Sequence, residues 1–308
     1  MTLHIETPLI PSRALSLISG KSILLKVDAL QPTGSFKIRG IGLACETYAA
    51  QGARRFVSSS GGNAGLAVAY AGRRLGIPVT VVVPETTSEK VKQLLRAEDA
   101  EIITHGSTWQ EANATALSLI GPTDAFVHPF DDPLLWQGHA SIIDEIARSG
   151  HQPDAIILTV GGGGLLSGVA EGLQKNKWSH IPILAVETEG AASYRKAMEV
   201  GRPVPLAEIR SLASSLGAKQ VCEKAVAWSK EHPVRSVLVS DQSAFMACER
   251  FLADHRLLVE PACGAGLAVV YEHAEALHDF DQVLVIVCGG VTTTLDDIRE
   301  TLTGLSCR

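Results

Sequence analysis

Several marks that would assign a chain quickly are missing from this one. Its six cysteines, Cys45, Cys222, Cys248, Cys263, Cys288 and Cys307, form no Cys-x-x-Cys, and no histidines cluster at zinc-finger spacing. That removes a structural zinc site. Scattered cysteines in a chain without an export signal read as reduced thiols in a cytosol. The first residues, Met1-Thr2-Leu3-His4-Ile5-Glu6, lack a basic segment followed by a long apolar core, so no signal peptide is expected. The longest apolar runs, such as Val283 to Cys288, have strand length, far short of the ~20 residues that span a bilayer. Positive charge is not in excess: 27 Lys and Arg face 33 Asp and Glu, for a net −6. Neither nucleic acid nor an acidic membrane is expected as main partner. There is no repeat, low-complexity tract or long linker.

What is present is a β–α alternation. The 308 residues, 46% hydrophobic and 19% charged, suffice for two domains of roughly 150 residues each or one large one. Ile23–Val27, Arg55–Ser58, Val79–Val83, Glu101–Thr104 and Ala125–His128 read as strands. Helical patterns lie between them: Gly34–Ala50, an alanine-rich stretch to Leu75, about ten residues after Ser88, and Thr108–Ile120. A second series opens with a helix from Asp132-Pro133 to Ser149. Strands follow at Ala155–Val160, Ile183–Val186, Val237–Val239 and Val283–Val287. Helices are expected after the glycines at 161–164, between Ala218 and Val237, at Asp241–Ala253, from Pro261 to about Leu277 and at the end. Gly190 to Ala218 is less regular. This alternation predicts parallel sheets covered on both faces, in two α/β units that break near residue 130.

Ligands bind such sheets at the carboxyl ends of their strands. Five loops fall there: Gln31–Lys37, Ser58–Gly65, Val160–Leu165, Glu187–Ser193 and Cys288–Gly290. Lys37 is placed in the first turn of a helix, facing the positive end of the backbone dipole. That is a poor place for a structural cation and a good one for a catalytic amine that must spend time uncharged, although a solvated lysine also fits the pattern. Gly161 to Gly164 precede a helix and suit a phosphate; tight packing is the commoner reason for such glycines. The dinucleotide fingerprint fails at its third glycine, at Leu166 or Ser167, but Glu187 lies where a ribose-binding acid belongs. Ser58–Gly65 reads as an anion pocket or as an ordinary helix cap. Cys288 reads as a small core residue. His139, near Asp131 and Asp132, is given a structural role, because no nucleophile sits at recognisable spacing.

Taken together and in order, Ser35-Phe36-Lys37-Ile38-Arg39-Gly40, Ser60-Gly61-Gly62-Asn63-Ala64-Gly65, Gly161–Leu165 and Val287-Cys288-Gly289-Gly290 are specific. So arranged, the chain resembles the serine/threonine dehydratases of the tryptophan-synthase-β-like, fold type II pyridoxal-phosphate enzymes. The likeness runs nearly end to end and includes Pro129–Pro133, Gly138–Ser141 and Leu258–Ala265. It is nearest to L-serine dehydratases and their serine-dehydratase-like relatives.

The resemblance implies two open parallel sheets, with residues 31–130 as a small domain, 1–30 and 131–308 as a large one, and the cofactor in the cleft. It implies that Lys37 binds pyridoxal phosphate as a Schiff base and acts as α-proton base, with Phe36 against the ring. Asn63 would bond the ring hydroxyl, Gly161, Gly162, Gly163, Gly164 and Leu165 would hold the phosphate, and Cys288 would face the pyridine nitrogen. Ser60, Gly61, Gly62, Asn63 and Ala64 would bind the substrate carboxylate, with Ser60 also catalytic. Gly161, Glu187, Ala191, Ser193, Leu216 and Ala218 match a monovalent cation site, K⁺ in the family. The implied reaction is deamination of L-serine and L-threonine by a cytoplasmic homodimer. Gly61, where related racemases carry serine, argues against racemisation. Gly61 with Ser215 resembles the dehydratase-like isoforms. No C-terminal regulatory extension is seen, so isoleucine feedback is not expected.

Overall fold

The computed structural model describes residues 2–272 and 275–306. Cys307 lies outside them; the other five cysteines are free and buried. The chain opens with β1 (Leu9–Pro11), α1 (Arg13–Ser19) and β2 (Ser22–Val27). It continues through α2 (Lys37–Ala50), β3 (Arg55–Ser58), α3 (Asn63–Leu75), β4 (Val79–Val83), α4 (Glu89–Ala97), β5 (Glu101–Thr104), α5 (Trp109–Ser118) and β6 (Asp124–Phe126). Then come α6 (Pro133–Arg148), β7 (Ala155–Thr159), α7 (Gly164–Lys175), β8 (Ile183–Thr188), α8 (Ser193–Val200), α9 (Glu223–Glu231) and β9 (Val234–Val239). Helices α10 (Asp241–His255) and α11 (Pro261–Tyr271), strand β10 (Gln282–Val287) and helix α12 (Leu295–Ser306) close the chain.

Two sheets result. One runs β5-β4-β3-β6 and is parallel throughout. The other runs β1-β2-β10-β7-β8-β9, parallel except at its edge, where β1 pairs antiparallel with β2. All five residues of β7, Ala-Ile-Ile-Leu-Thr, are buried, as a strand covered by helices on both faces requires.

Some elements differ from the sequence reading. β1 has three residues, one of them Pro11, too few to show a period. α1 and α8 lie in stretches given no element. β6 stops at Phe126 because His128 leaves the ladder: its Nδ1 accepts from the N–H groups of Phe130 (3.3 Å) and Asp131 (2.8 Å). β8 runs past Val186, so Glu187 lies inside the strand, opposite Leu238. The helix expected to reach Leu277 ends at Tyr271.

Three helices are stacked through glycines. A Cβ on Gly40 would fall 2.5 Å from the Leu135 carbonyl oxygen, and one on Gly138 would fall 2.4 Å from that of Arg39. α2 and α6 therefore cross backbone to backbone. Gly168 and Gly172 give α7 the same close approach to α6, against Trp136, His139 and Ile143. Both α2 and α7 thus have their N-termini fixed relative to one helix.

Behind the first turn of α2 lies a buried ion cluster. Arg39 reaches Asp28 with Nε (2.7 Å) and one terminal nitrogen (2.9 Å), and Glu145 with both terminal nitrogens (2.6 and 2.9 Å). Lys26 meets Glu145 at 2.5 Å. Two cations balance two carboxylates, which is what makes burying all four tolerable.

Candidate active site

Lys37 is the first residue of α2, and the turn before it is tied to the loop after β10. The Phe36 N–H donates to the Cys288 carbonyl at 3.0 Å, Gly290 N–H donates to the Gly34 carbonyl at 2.8 Å, and Ser35 bridges Gly289. The Lys37 Nζ donates to the Pro129 carbonyl at 2.7 Å and lies 5.1 Å from the centre of the Phe36 ring. No carboxylate pairs with it among the described residues. Burial lowers its pKa to about 8, against the opposing pull of Cys288 and Glu260. An amine so placed is uncharged for a useful fraction of the time near neutral pH.

Lys37 opens on a cleft of about 500 Å³ of empty space, part of it open to solvent. Four helix N-termini meet there: Lys37 of α2, Asn63 of α3, Gly164 of α7, and Glu260 with Ala262 at the start of α11. Their dipoles together favour an anion. Among the described residues, none of the N–H groups from Gly161 to Leu165 donates to a protein acceptor. Gly163, with φ +91, caps α7 without a side-chain bond. Ser35, which also lines the cleft, has a buried hydroxyl with no partner among the described residues. The glycines also serve packing. A Cβ on Gly162 would lie 2.2–2.4 Å from ring atoms of Phe130, and one on Gly164 2.7 Å from the Phe130 carbonyl oxygen. Packing explains why these residues are glycine; the unpaired N–H groups are what would hold a ligand.

Cys288 is 5% exposed, with its sulfur 3.6 Å from the Thr159 hydroxyl. A hydrogen bond with Cys263, and burial, push its thiol well up, so it stays neutral. Asn63 donates from Nδ2 to Glu260 at 2.7 Å and accepts from the Val291 N–H at 3.2 Å. Ser60, Gly61, Gly62 and Ala64 do not line the cleft itself; they form the loop into α3, where Ser60 Oγ accepts from the Gly62 N–H at 3.3 Å. His139 packs against Phe36 with centroids 4.9 Å apart, and neither ring nitrogen has a partner. Burial, Lys37 and Arg39 keep it neutral.

Of the residues assigned to a cation, Gly161 and Leu216 line the cleft, whereas Glu187, Ala191, Ser193 and Ala218 do not. A Cβ on Gly161 would touch Ser215 and Leu216. Glu187 is fully buried, and its two oxygens accept from the N–H groups of Tyr194 (2.7 Å) and Arg195 (2.8 Å). Burial raises its pKa to about 7. These bonds tie the carboxylate to the start of α8, outside the cleft. Among the described residues, the buried hydroxyls of Ser193 and Tyr194 have no partner.

The family model described as pyridoxal-phosphate dependent enzyme matches residues 1–289. The chain belongs to this family. The enzyme is 47% identical to a serine dehydratase-like protein of Mus musculus, over 99% of this chain and 95% of that one. It is 46% identical to the human L-serine dehydratase/L-threonine deaminase, over 96% and 94%. Among solved structures, an L-serine ammonia-lyase from the fungus Rhizomucor miehei superposes with a TM-score of 0.93 at 36% identity, covering 97% of this chain and 98% of that one. The sheet arrangement is therefore that of the fold type II enzymes.

The residues present fit pyridoxal phosphate. A family whose cofactor carries an aldehyde and a phosphate needs an amine that loses its proton readily and a cluster of free N–H donors, and the cleft holds both. The sequence reading missed Glu260, Thr159 and Phe130 as lining residues. Glu260 immediately precedes Pro261 and an apolar helix, a pattern that reads as a simple helix cap.

Proposed function

We propose that the enzyme deaminates L-serine to pyruvate and ammonia and L-threonine to 2-oxobutanoate and ammonia. The observation that carries this reading is the position of Lys37: a desolvated amine with no acidic partner, in a cleft that also holds the free N–H groups of Gly161–Leu165 and a neutral Cys288 thiol. The relatives' names, L-serine dehydratase/L-threonine deaminase and serine dehydratase-like, give the substrate class.

When bound, pyridoxal phosphate supplies an electron sink for the charge left at the substrate α-carbon. The protein does the rest. Lys37 Nζ would hold the cofactor through its aldehyde and, when free, would accept the substrate α-proton. Gly161 to Leu165 would hold the phosphate on their N–H groups and the N-terminus of α7. Phe36 would flank the ring and Asn63 donate to its hydroxyl. Ser60 to Ala64, at the start of α3, would hold the substrate carboxylate. Cys288 would meet the ring nitrogen. A neutral thiol would not hold that nitrogen protonated as a carboxylate would, and a site that stabilises negative charge less would favour loss of the β-hydroxyl. This favours elimination over transamination. In balance, the α-C–H and β-C–O bonds break, the hydroxyl leaves as water, and hydrolysis of the remainder gives the 2-oxo acid and ammonia.

Glu187, Ser193, Gly161, Ala191, Leu216 and Ala218 would bind K⁺. The buried carboxylate without a cation, and the unpartnered hydroxyl of Ser193, support a hard cation with oxygen ligands. Residues 31–130 would form the small domain, and 1–30 with 131–308 the large one. A cytoplasmic homodimer completes the proposal. The test is 2-oxo acid release from L-serine and L-threonine, with and without K⁺. Activity is expected in wild type and lost in Lys37→Ala; wild-type turnover by Lys37→Ala would overturn the reading.

A further inference from the structure

We propose that Glu260 is a positioning residue that fixes which face of the Asn63 amide is presented to the cofactor. The inference rests on the placement of pyridoxal phosphate in this cleft and goes beyond it. Glu260 occupies the cap position of α11, yet its side chain makes no capping bond. The first N–H groups of the helix reach its backbone carbonyl instead, from Cys263 at 2.8 Å and Gly264 at 3.0 Å. The carboxylate turns into the cleft. There it accepts from Asn63 Nδ2 at 2.7 Å on one oxygen and from the Thr292 hydroxyl at 2.9 Å on the other.

Room for it is made by Gly290. Its φ is +122, and a Cβ there would lie 2.0–2.2 Å from Cγ, Cδ and Oε2 of Glu260. Glu260 is 3% exposed and, among the described residues, has no cation at ion-pair distance. Burying a carboxylate this way is costly. A helix cap did not require it, since serine or aspartate would cap better. A purpose in the cleft does.

That purpose follows from donor and acceptor counting. An ionised carboxylate only accepts. Turning the Asn63 amide over would set its oxygen against Glu260 and its NH₂ against the Val291 N–H, losing both bonds and opposing like groups. The observed orientation is therefore the sole one that pairs both ends. It commits one N–H of Asn63 to Glu260 and leaves the second for an acceptor in the cleft, the hydroxyl oxygen of the cofactor ring. Burial raises the pKa of Glu260 against the pull of its bonds to Asn63, Ser215 and Thr292; the accepting role rests on geometry, since Asn63 Nδ2 and the Thr292 hydroxyl each donate to one of its oxygens. Glu260 also connects the two sheets' elements, since Asn63 begins α3 while Thr292 follows β10.

The test is a double-mutant cycle read on cofactor binding, not on turnover. Apoenzyme is titrated with pyridoxal phosphate, and the Kd and visible spectrum are recorded for wild type, Glu260→Ala, Asn63→Ala and the double variant. Glu260→Ala is expected to weaken binding by about tenfold, with about 1.4 kcal/mol as its equivalent, and to alter the visible band in the same sense as Asn63→Ala. In the Asn63→Ala background it is expected to have less than about a twofold effect, the non-additivity of residues that act as one. Glu260→Gln keeps an oxygen for Asn63 and an amide for Thr292, and should recover binding to within about threefold. It guards against a folding defect in the alanine variant. Additive losses around the cycle, or wild-type Kd and spectrum in Glu260→Ala, would overturn the inference while leaving the cleft assignment intact. Unchanged cofactor binding by Lys37→Ala would overturn the assignment, and the inference with it.

Discussion

The buried cluster behind α2 gives the most quantitative prediction. In Arg39→Ala six guanidinium hydrogen bonds vanish, two to Asp28, two to Glu145 and one each to Thr7 and Ser141. Glu145 retains Lys26 at 2.5 Å. Among the described residues, Asp28, fully buried, retains only the Thr7 hydroxyl at 2.7 Å. One carboxylate is thus left buried and unpaired, which costs about 3–5 kcal/mol. That is a large part of a typical stability of about 5–15 kcal/mol. Urea unfolding of the apoenzyme by far-ultraviolet circular dichroism measures it as a lowered midpoint.

The pH dependence has a definite sign. Burial alone would raise Glu145, but the bonds and charge of Arg39 and Lys26 hold it below its ordinary 4.5. That stabilisation is present above the unfolded pKa and is lost as pH falls through the lower folded one. The deficit of Arg39→Ala should therefore be largest above pH ~5 and shrink on acidification. Arg39→Met with Asp28→Asn restores neutrality and should regain at least half of the loss. A deficit under about 1 kcal/mol in the single variant, or none recovered in the double, would refute the reasoning.

Other predictions follow from close contacts and titrating groups. Gly162→Ala forces its Cβ into the Phe130 ring, and should cost about 1–3 kcal/mol in thermal or urea unfolding while weakening cofactor affinity. The Glu187 carboxyl, raised by burial to about 7, is more fully ionised at pH 8 than at pH 6, so if the proposed K⁺ site is correct, activation by K⁺ should need less salt at the higher pH. Titration of activity with KCl at both values checks this, and Glu187→Gln should abolish the difference. A Cβ on Gly61 would sit 3.0–3.3 Å from Thr87 and Val83. Gly61→Ser alone should therefore produce little D-serine from L-serine, and trimming Thr87 to alanine should ease the fit, as chiral chromatography of the products would show.

The β–α rhythm was legible because buried parallel strands are continuous apolar runs; β7 and β10 match their expected positions almost to the residue. β1 was not, because three residues at an antiparallel edge carry no period. Nor was α8, whose polar residues lie in a stretch that reads as a loop. In the site, Lys37, Asn63, Gly161–Leu165 and Cys288 were selected by motif, and the fold brings them to one cleft. The reason for the glycines was less visible: Gly162 and Gly164 make room for Phe130, a partner distant in sequence. Glu260 was hidden for a similar cause. Its neighbours in the chain suggest a helix cap, whereas its hydrogen-bond partners come from α3 and the loop after β10.

The central claim is that the desolvated amine of Lys37 holds the cofactor. Purified enzyme is treated with borohydride in the presence of pyridoxal phosphate, digested, and mapped by mass spectrometry. The account predicts a reduced pyridoxyl group on Lys37 and loss of the visible band. A label on another lysine, or a protein that takes up the cofactor without labelling Lys37, would contradict it.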